Sequence, residues 1–200
     1  VFVSRVFRLS SIYVRPDGPV KAPADLRGKR IGVPEWAQTA AIYSRGYLVH
    51  ELGIPLAAIE WVQAGVNESG RVEKVALNLP PDVRLQRAPD KTLNGMLLAG
   101  ELDAVLSARP PQAFAAGQVM RLYPNYRDAE EAWFRKTGIF PIMHVVALRR
   151  DVFDRDPWVA MNLAKAFEEA KRRSLARLGD ITASHAPLAW LGDYVARLRE

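Results

Sequence analysis

Arg109 precedes two prolines, Pro110 and Pro111, and a guanidinium on a loop stiffened in that way is a natural grip for a carboxylate. Gln38, Thr39 and Ala40 stand where the apolar run Ile31–Val33 gives way to a helical pattern. Free N–H groups and the helix dipole make such a terminus an anion site, although Thr39 also reads as a plain helix cap. Glu35 directly follows Val33-Pro34. It is either a cleft carboxylate able to act as an acid or a solvated residue at a helix start. His144 interrupts an apolar stretch after Pro141 and reads as a proton donor or ligand partner, or as a hydrogen-bonded histidine of the core or a hinge. Arg5 and Arg8 lie three apart, so on a strand they face opposite sides and at most one reaches a cleft. Trp36 and Trp61 offer faces on which an aromatic ring could stack, or else fill the core.

Other chemistries are harder to build. The 200 residues include no cysteine, which removes disulfides and thiol catalysis. No two histidines or carboxylates show closed zinc spacing, so only a divalent metal assembled from distant residues stays open. His50 falls inside a helical pattern and His185 in a weakly patterned tail, and neither marks a site. The formal net charge is +6, spread along the chain with clusters near 148–155 and 165–177. A nucleic-acid binder would interleave such charge with exposed aromatics or carry a reading module, and neither is present. The basic balance suits a small anionic ligand instead. No apolar run approaches the roughly 20 residues of a membrane span. The segment Val1–Arg5 lacks the basic-then-apolar order of a signal peptide and reads as a chain entered mid-strand.

The elements that must position these residues alternate. Apolar runs predict strands near 1–14, 31–34, 59–62, 82–87, 102–106, 120–123 and 139–148. Helical spacing predicts helices near 39–52, 91–99, 112–117, 128–137 and 157–178, with Gly53 and Gly100 as stops and Asp156-Pro157 as a cap-then-proline start. Strands alternating with helices predict an α/β fold with a mostly parallel sheet. Such sheets bind ligands outside the carboxyl ends of their strands. The loops expected to matter are therefore 33–39, 61–70, 107–111 and the segment around His144.

Ser4-Arg5-Val6-Phe7-Arg8 with Ser11-Ile12-Tyr13-Val14 resembles the segment that crosses between lobes in type 2 periplasmic binding proteins. Asp25-Leu26-Arg27-Gly28-Lys29-Arg30-Ile31-Gly32-Val33-Pro34-Glu35 is similar to the entry to their second lobe. The continuation Trp36-Ala37-Gln38-Thr39-Ala40-Ala41, with Arg45-Gly46, resembles more closely the 4,5-dihydroxyphthalate decarboxylase group on that fold. So do Ala108-Arg109-Pro110-Pro111 and Thr137-Gly138-Ile139-Phe140-Pro141-Ile142-Met143-His144. The likeness runs over about residues 1–175 in consistent order. Leu9 departs from it, standing where a histidine is expected after Phe7-Arg8.

The resemblance implies a two-lobed α/β clamshell with mostly parallel sheets, the N-terminal part of lobe one being missing from this chain. Residues 1–25 would supply a lobe-one segment and the hinge crossing, 26–140 lobe two, and 141–200 the return crossing and the C-terminal helices of lobe one. It also implies decarboxylation of a hydroxylated aromatic carboxylate. A ring hydroxyl para to the departing carboxylate allows this, because protonating the ring carbon gives a dienone-like intermediate. His144 or Glu35 would supply the acid. Arg109, Gln38, Thr39 and the amides after them would hold carboxylate, with Arg5, Arg8 and Trp36 as further contacts. No nucleotide, pyridoxal or flavin signature is present, so the expected chemistry is cofactor-free or metal-assisted. The alternative is a solute receptor for a small organic anion feeding an ABC transporter, with the same grips and no positioned acid. The enzyme would be cytoplasmic and the receptor periplasmic.

Overall fold

The computed structural model describes residues 2–180, 182 and 188–197, so His185 lies outside the described residues. In chain order its elements begin with β1 (Phe2–Arg5), β2 (Ile12–Val14), β3 (Arg30–Val33), α1 (Thr39–His50), β4 (Glu60–Gly65) and β5 (Leu85–Thr92). Then come α2 (Leu93–Leu98), β6 (Ala104–Leu106), α3 (Gln112–Ala115), β7 (Met120–Arg121) and α4 (Tyr126–Thr137). The last are β8 (Ile142–Val145), α5 (Arg150–Arg155), α6 (Trp158–Leu178) and α7 (Leu191–Arg197). Two compact units divide the chain, one of residues 4–143 and one of residues 1–3 with 144–200.

In the first unit the strands are ordered β5-β4-β3-β6-β2-β7. β3 runs parallel to β4 and β6, and β4 parallel to β5, while β2 is antiparallel to both β6 and β7. This is an α/β protein with a mixed, mostly parallel sheet. The central strands are mostly apolar because both faces are covered. Alternate residues serve the two faces. Ile12, Val14, Ile31, Val33, Trp61, Ala104 and Leu106 pack in one buried cluster with Ala41 and Leu48 of α1. Tyr13, Val62, Ala64 and Val105 pack in the other with Leu93, Met96 and Leu97 of α2 and with Leu102. Gly32 has no side chain because one would not fit. A Cβ there would come within 2.7 Å of Leu93 and 2.8 Å of Leu102.

Several boundaries differ from expectation for identifiable reasons. The expected strand 1–14 is broken by a 3-10 turn at Leu9–Ser11. Its second half, expected with the other lobe's segment, inserts between β6 and β7 of this sheet. The apolar stretch 139–148 yields only the four residues of β8, since Pro141 has no N–H to give to a ladder. Lys91 and Thr92, expected in a helix, end β5, and the Thr92 side chain accepts the Gly95 N–H at 3.1 Å as the cap of α2. A separate short helix, α5, precedes Asp156-Pro157, and Pro157 caps the 21-residue α6.

The second unit is helical apart from the strand ends it includes. β1 and β8 pair as a two-stranded sheet, and the division between units falls inside both strands. α6 contacts α5 and α7, yet none of its residues is fully buried, and Trp158 and Met161 are both 63% exposed. Among the described residues, no helix is long and apolar enough to cross a membrane.

Candidate functional site

From β3 the chain goes to β4 on one side, then returns after β5 and α2 to β6 on the other. The crevice beyond the carboxyl ends of β3 and β6 is thus a topological switch point, where open α/β sheets leave room for a ligand. A cleft of about 660 Å³ opens there. Pro34 and Gln38 line it from the loop after β3, residues Gly65–Arg71 from the segment ending β4, and Ser107, Ala108 and Arg109 from the loop after β6. Three of the four expected loops meet in this one cleft.

Each wall is fixed by contacts that the local sequence makes possible. Gly65 ends β4 in a bend so close that a Cβ would fall 1.7 Å from the Glu68 carbonyl oxygen. Gln63, buried on β4, donates through Nε2 to the carbonyls of Pro34 and Arg71, both at 2.9 Å. Asn67 donates to the Pro110 carbonyl at 3.1 Å and accepts the Gln112 N–H at 2.9 Å, joining the second wall to the third. The loop after β3 is bound by charge. The Glu35 carboxylate is buried and ion-paired with Arg71, whose Nε donates at 2.8 Å and whose Nη2 also contacts it. The Glu73 carboxylate accepts the N–H groups of Trp36 at 2.5 Å and Ala37 at 3.2 Å.

Behind that loop lies Arg45, buried on α1. Its guanidinium sits 3.8 Å over the Trp36 ring and donates to the Trp36 carbonyl at 2.8 Å. Burial lowers its pKa to about 10, against the pull of Glu73. Trp36 also meets Trp61 edge-on at 5.4 Å, so both tryptophans are core residues, not a stacking platform in the cleft.

Of the residues singled out in the sequence, Gln38 and Arg109 line the cleft together. Gln38 is the residue before α1, its side chain caps nothing, and its Oε1 is buried with no hydrogen bond among the described residues. Thr39 is the first helical residue and half-buried, not the cap. Glu35 is the anchor of Arg71. Arg5 and Arg8 are not among the cleft's lining residues. Arg5 is exposed on β1 with its guanidinium 5.7 Å from the Phe140 ring centre, and Arg8 donates through Nε to the Met143 sulfur at 3.1 Å. His144 is exposed on β8 and belongs to the second unit. Among the described residues no group of three or more histidines and carboxylates could hold a metal ion.

Two acids were invisible in the sequence. Glu73 has no periodic context, and its partners lie 37 and 36 residues away. Glu130 is buried on α4, where its Oε1 accepts the N–H groups of Leu9 at 2.9 Å and Ser10 at 3.3 Å. Burial pushes the Glu130 carboxyl up, against those two hydrogen bonds and the nearby Arg8 charge. A carboxyl raised in this way binds its proton more tightly folded than unfolded. Stability therefore falls as pH rises from the ordinary carboxylate range through the folded value. Glu130→Gln keeps an acceptor for both N–H groups without the charge. Urea titrations from about pH 4 to pH 8 should show the variant gaining on the wild type as pH rises. A difference that ignores pH would contradict the buried-acid account.

Over an alignment of 202 positions that covers the whole chain, the sequence is 40% identical to a protein of Comamonas testosteroni named 4,5-dihydroxyphthalate decarboxylase. The chain is thus homologous to part of a protein of that name. A second protein of that name, from Pseudomonas putida, is 46% identical over 138 residues, or 68% of this chain. The aligned lengths are 61% and 54% of these two decarboxylases, so the chain spans little more than half of each. No family model matches. A solved structure described as holo ArgBP from T. maritima aligns with 83% of this chain and 56% of its own, at 16% identity. Its TM-score of 0.29 is too low for a shared fold to follow.

Proposed function

We propose that this chain carries the substrate cleft of a decarboxylase acting on a hydroxylated aromatic carboxylate such as 4,5-dihydroxyphthalate, within a fold of the type 2 periplasmic-binding-protein kind. One observation supports the reading above all. A cleft with an arginine, an amide and a helix start at the carboxyl ends of parallel strands lies in a chain similar over its whole length to part of a protein named for that reaction.

The chemistry divides into holding and protonating. Arg109, on the loop stiffened by Pro110 and Pro111, offers a planar fork to a carboxylate. Gln38 and the N–H groups opening α1 add donors beside it. The reaction breaks the bond between the ring and one carboxylate, releases CO2, and puts a proton on the ring carbon in its place. When the proton arrives first, the para hydroxyl carries the positive charge as a dienone-like cation. The electron pair of the breaking bond then restores the aromatic ring. The hydroxylated ring is its own electron sink, so the proposed chemistry needs no cofactor. His144, singled out by the sequence, is proposed as the proton donor on residue type alone, because a histidine can give up a proton near neutral pH.

The test is CO2 release by the folded protein from a panel of aromatic acids. Release is expected from 4,5-dihydroxyphthalate, where a hydroxyl is para to each carboxylate, and not from phthalate, which has no hydroxyl. Binding of 4,5-dihydroxyphthalate with no release would overturn the enzyme reading in favour of a receptor.

A further inference from the structure

Arg71 lines the cleft with Arg109, yet no motif in the sequence singles it out. We propose that Arg71 is a specificity-determining residue: it grips a second carboxylate and makes the cleft prefer aromatic dicarboxylates over monocarboxylates. This rests on the reading of the cleft as the substrate site.

The Arg71 side chain is 41% exposed, but the Glu35 side chain that anchors it is only 8% exposed. Gln63 fixes the Arg71 carbonyl, and the N–H of the preceding Gly70 donates to the Pro89 carbonyl at 2.7 Å. Two residues on, Glu73 is fastened to the backbone of Trp36 and Ala37. The guanidinium is thus positioned before any ligand arrives, which spares the ordering cost that a free surface arginine would meet on binding.

A guanidinium has five N–H donors, and Glu35 engages Nε and Nη2 through a single oxygen. The remaining donors meet no acceptor among the described residues, on a side chain that borders the cleft. Glu35 offsets part of the charge, so the grip depends on directed, charge-assisted hydrogen bonds more than on net potential. With Arg109 from the loop after β6, the cleft has two guanidinium groups on separate walls. One carboxylate can satisfy one of them; an ortho-dicarboxylate can satisfy both.

Phthalate and benzoate are suitable probes, since neither has the hydroxyl needed for turnover and each reports binding alone. Calorimetry should show the wild type binding phthalate at least about tenfold more tightly than benzoate, the usual worth of one charge-assisted hydrogen bond. Arg71→Gln should erase most of that ratio and leave benzoate affinity nearly unchanged. Because Arg71→Gln strands a buried carboxylate and could fail to fold, the double variant Glu35→Gln/Arg71→Gln, which has no unpaired charge, is measured beside it. A purely structural role would weaken both probes together. The proposal is overturned if the folded wild type shows no preference for phthalate, or if the preference survives in whichever variant folds. CO2 release from 4,5-dihydroxyphthalate by the same wild-type preparation reports separately on the decarboxylase reading, so the two can fail independently.

Discussion

His144→Gln is expected to cut turnover of 4,5-dihydroxyphthalate by roughly 10²–10⁴-fold, the range for loss of a positioned general acid. Ligand affinity should largely survive, because glutamine retains hydrogen-bonding capacity and much of the size of histidine but cannot act as an acid near neutral pH. The residue is exposed on the four-residue strand β8, so the substitution removes no core packing and the variant should fold. The check is a paired measurement of affinity and CO2 release for both proteins, each corrected for folded fraction. A lowered melting temperature with intact turnover per folded molecule would make His144 structural. Full turnover in the folded variant would end its case as proton donor.

Arg109→Ala should weaken binding of an aromatic carboxylate by about 2–3 kcal/mol, or roughly 30- to 150-fold, if its guanidinium forms a charge-assisted pair with the ligand. Its exposed position means that stability should change little. The backbone around it is held independently, by Asn67 on the Pro110 carbonyl and the Gln112 N–H. The alanine variant therefore loses the fork and not the loop. Arg109→Lys should recover only part of the loss, since an ammonium keeps the charge but cannot present two parallel donors. Calorimetry with phthalate would check all three proteins, and unchanged affinity in the alanine variant would remove Arg109 from the site.

The parts of the fold legible in the sequence are those where burial dictates residue type. Ile31–Val33 and Ala104–Leu106 read as strands because a parallel strand covered on both faces has to be apolar. The loops following them then became candidates on geometric grounds, and Gln38 and Arg109 do line one cleft. β5 was harder. Its residues, Leu85–Thr92, are mostly exposed and include Pro89, a pattern that only the edge of a sheet tolerates, and the spacing of its last two residues suits a helix. β8 is shorter than its apolar stretch because Pro141 has no N–H to give to a ladder.

The network behind the cleft was not legible at all. Arg71 and Glu73 lie in a loop without periodicity, and their partners Glu35, Trp36 and Ala37 lie 36 or 37 residues earlier. Only the pairing of β3 with β4 brings the two loops together. The aromatic role expected for Trp36 failed for a related reason. Spacing could place the residue beside the strand end but could not show Arg45 over its ring and Trp61 against its edge.

The central claim is that the cleft belongs to an enzyme that exchanges a ring carboxylate for a proton. Incubating the folded protein with 4,5-dihydroxyphthalate in D2O, with CO2 and the aromatic product measured together, tests it most directly. The account predicts one CO2 for each 3,4-dihydroxybenzoate formed, with a single deuterium on the ring carbon that lost its carboxylate. Ligand bound and recovered intact, with no CO2 above an enzyme-free control, would contradict it.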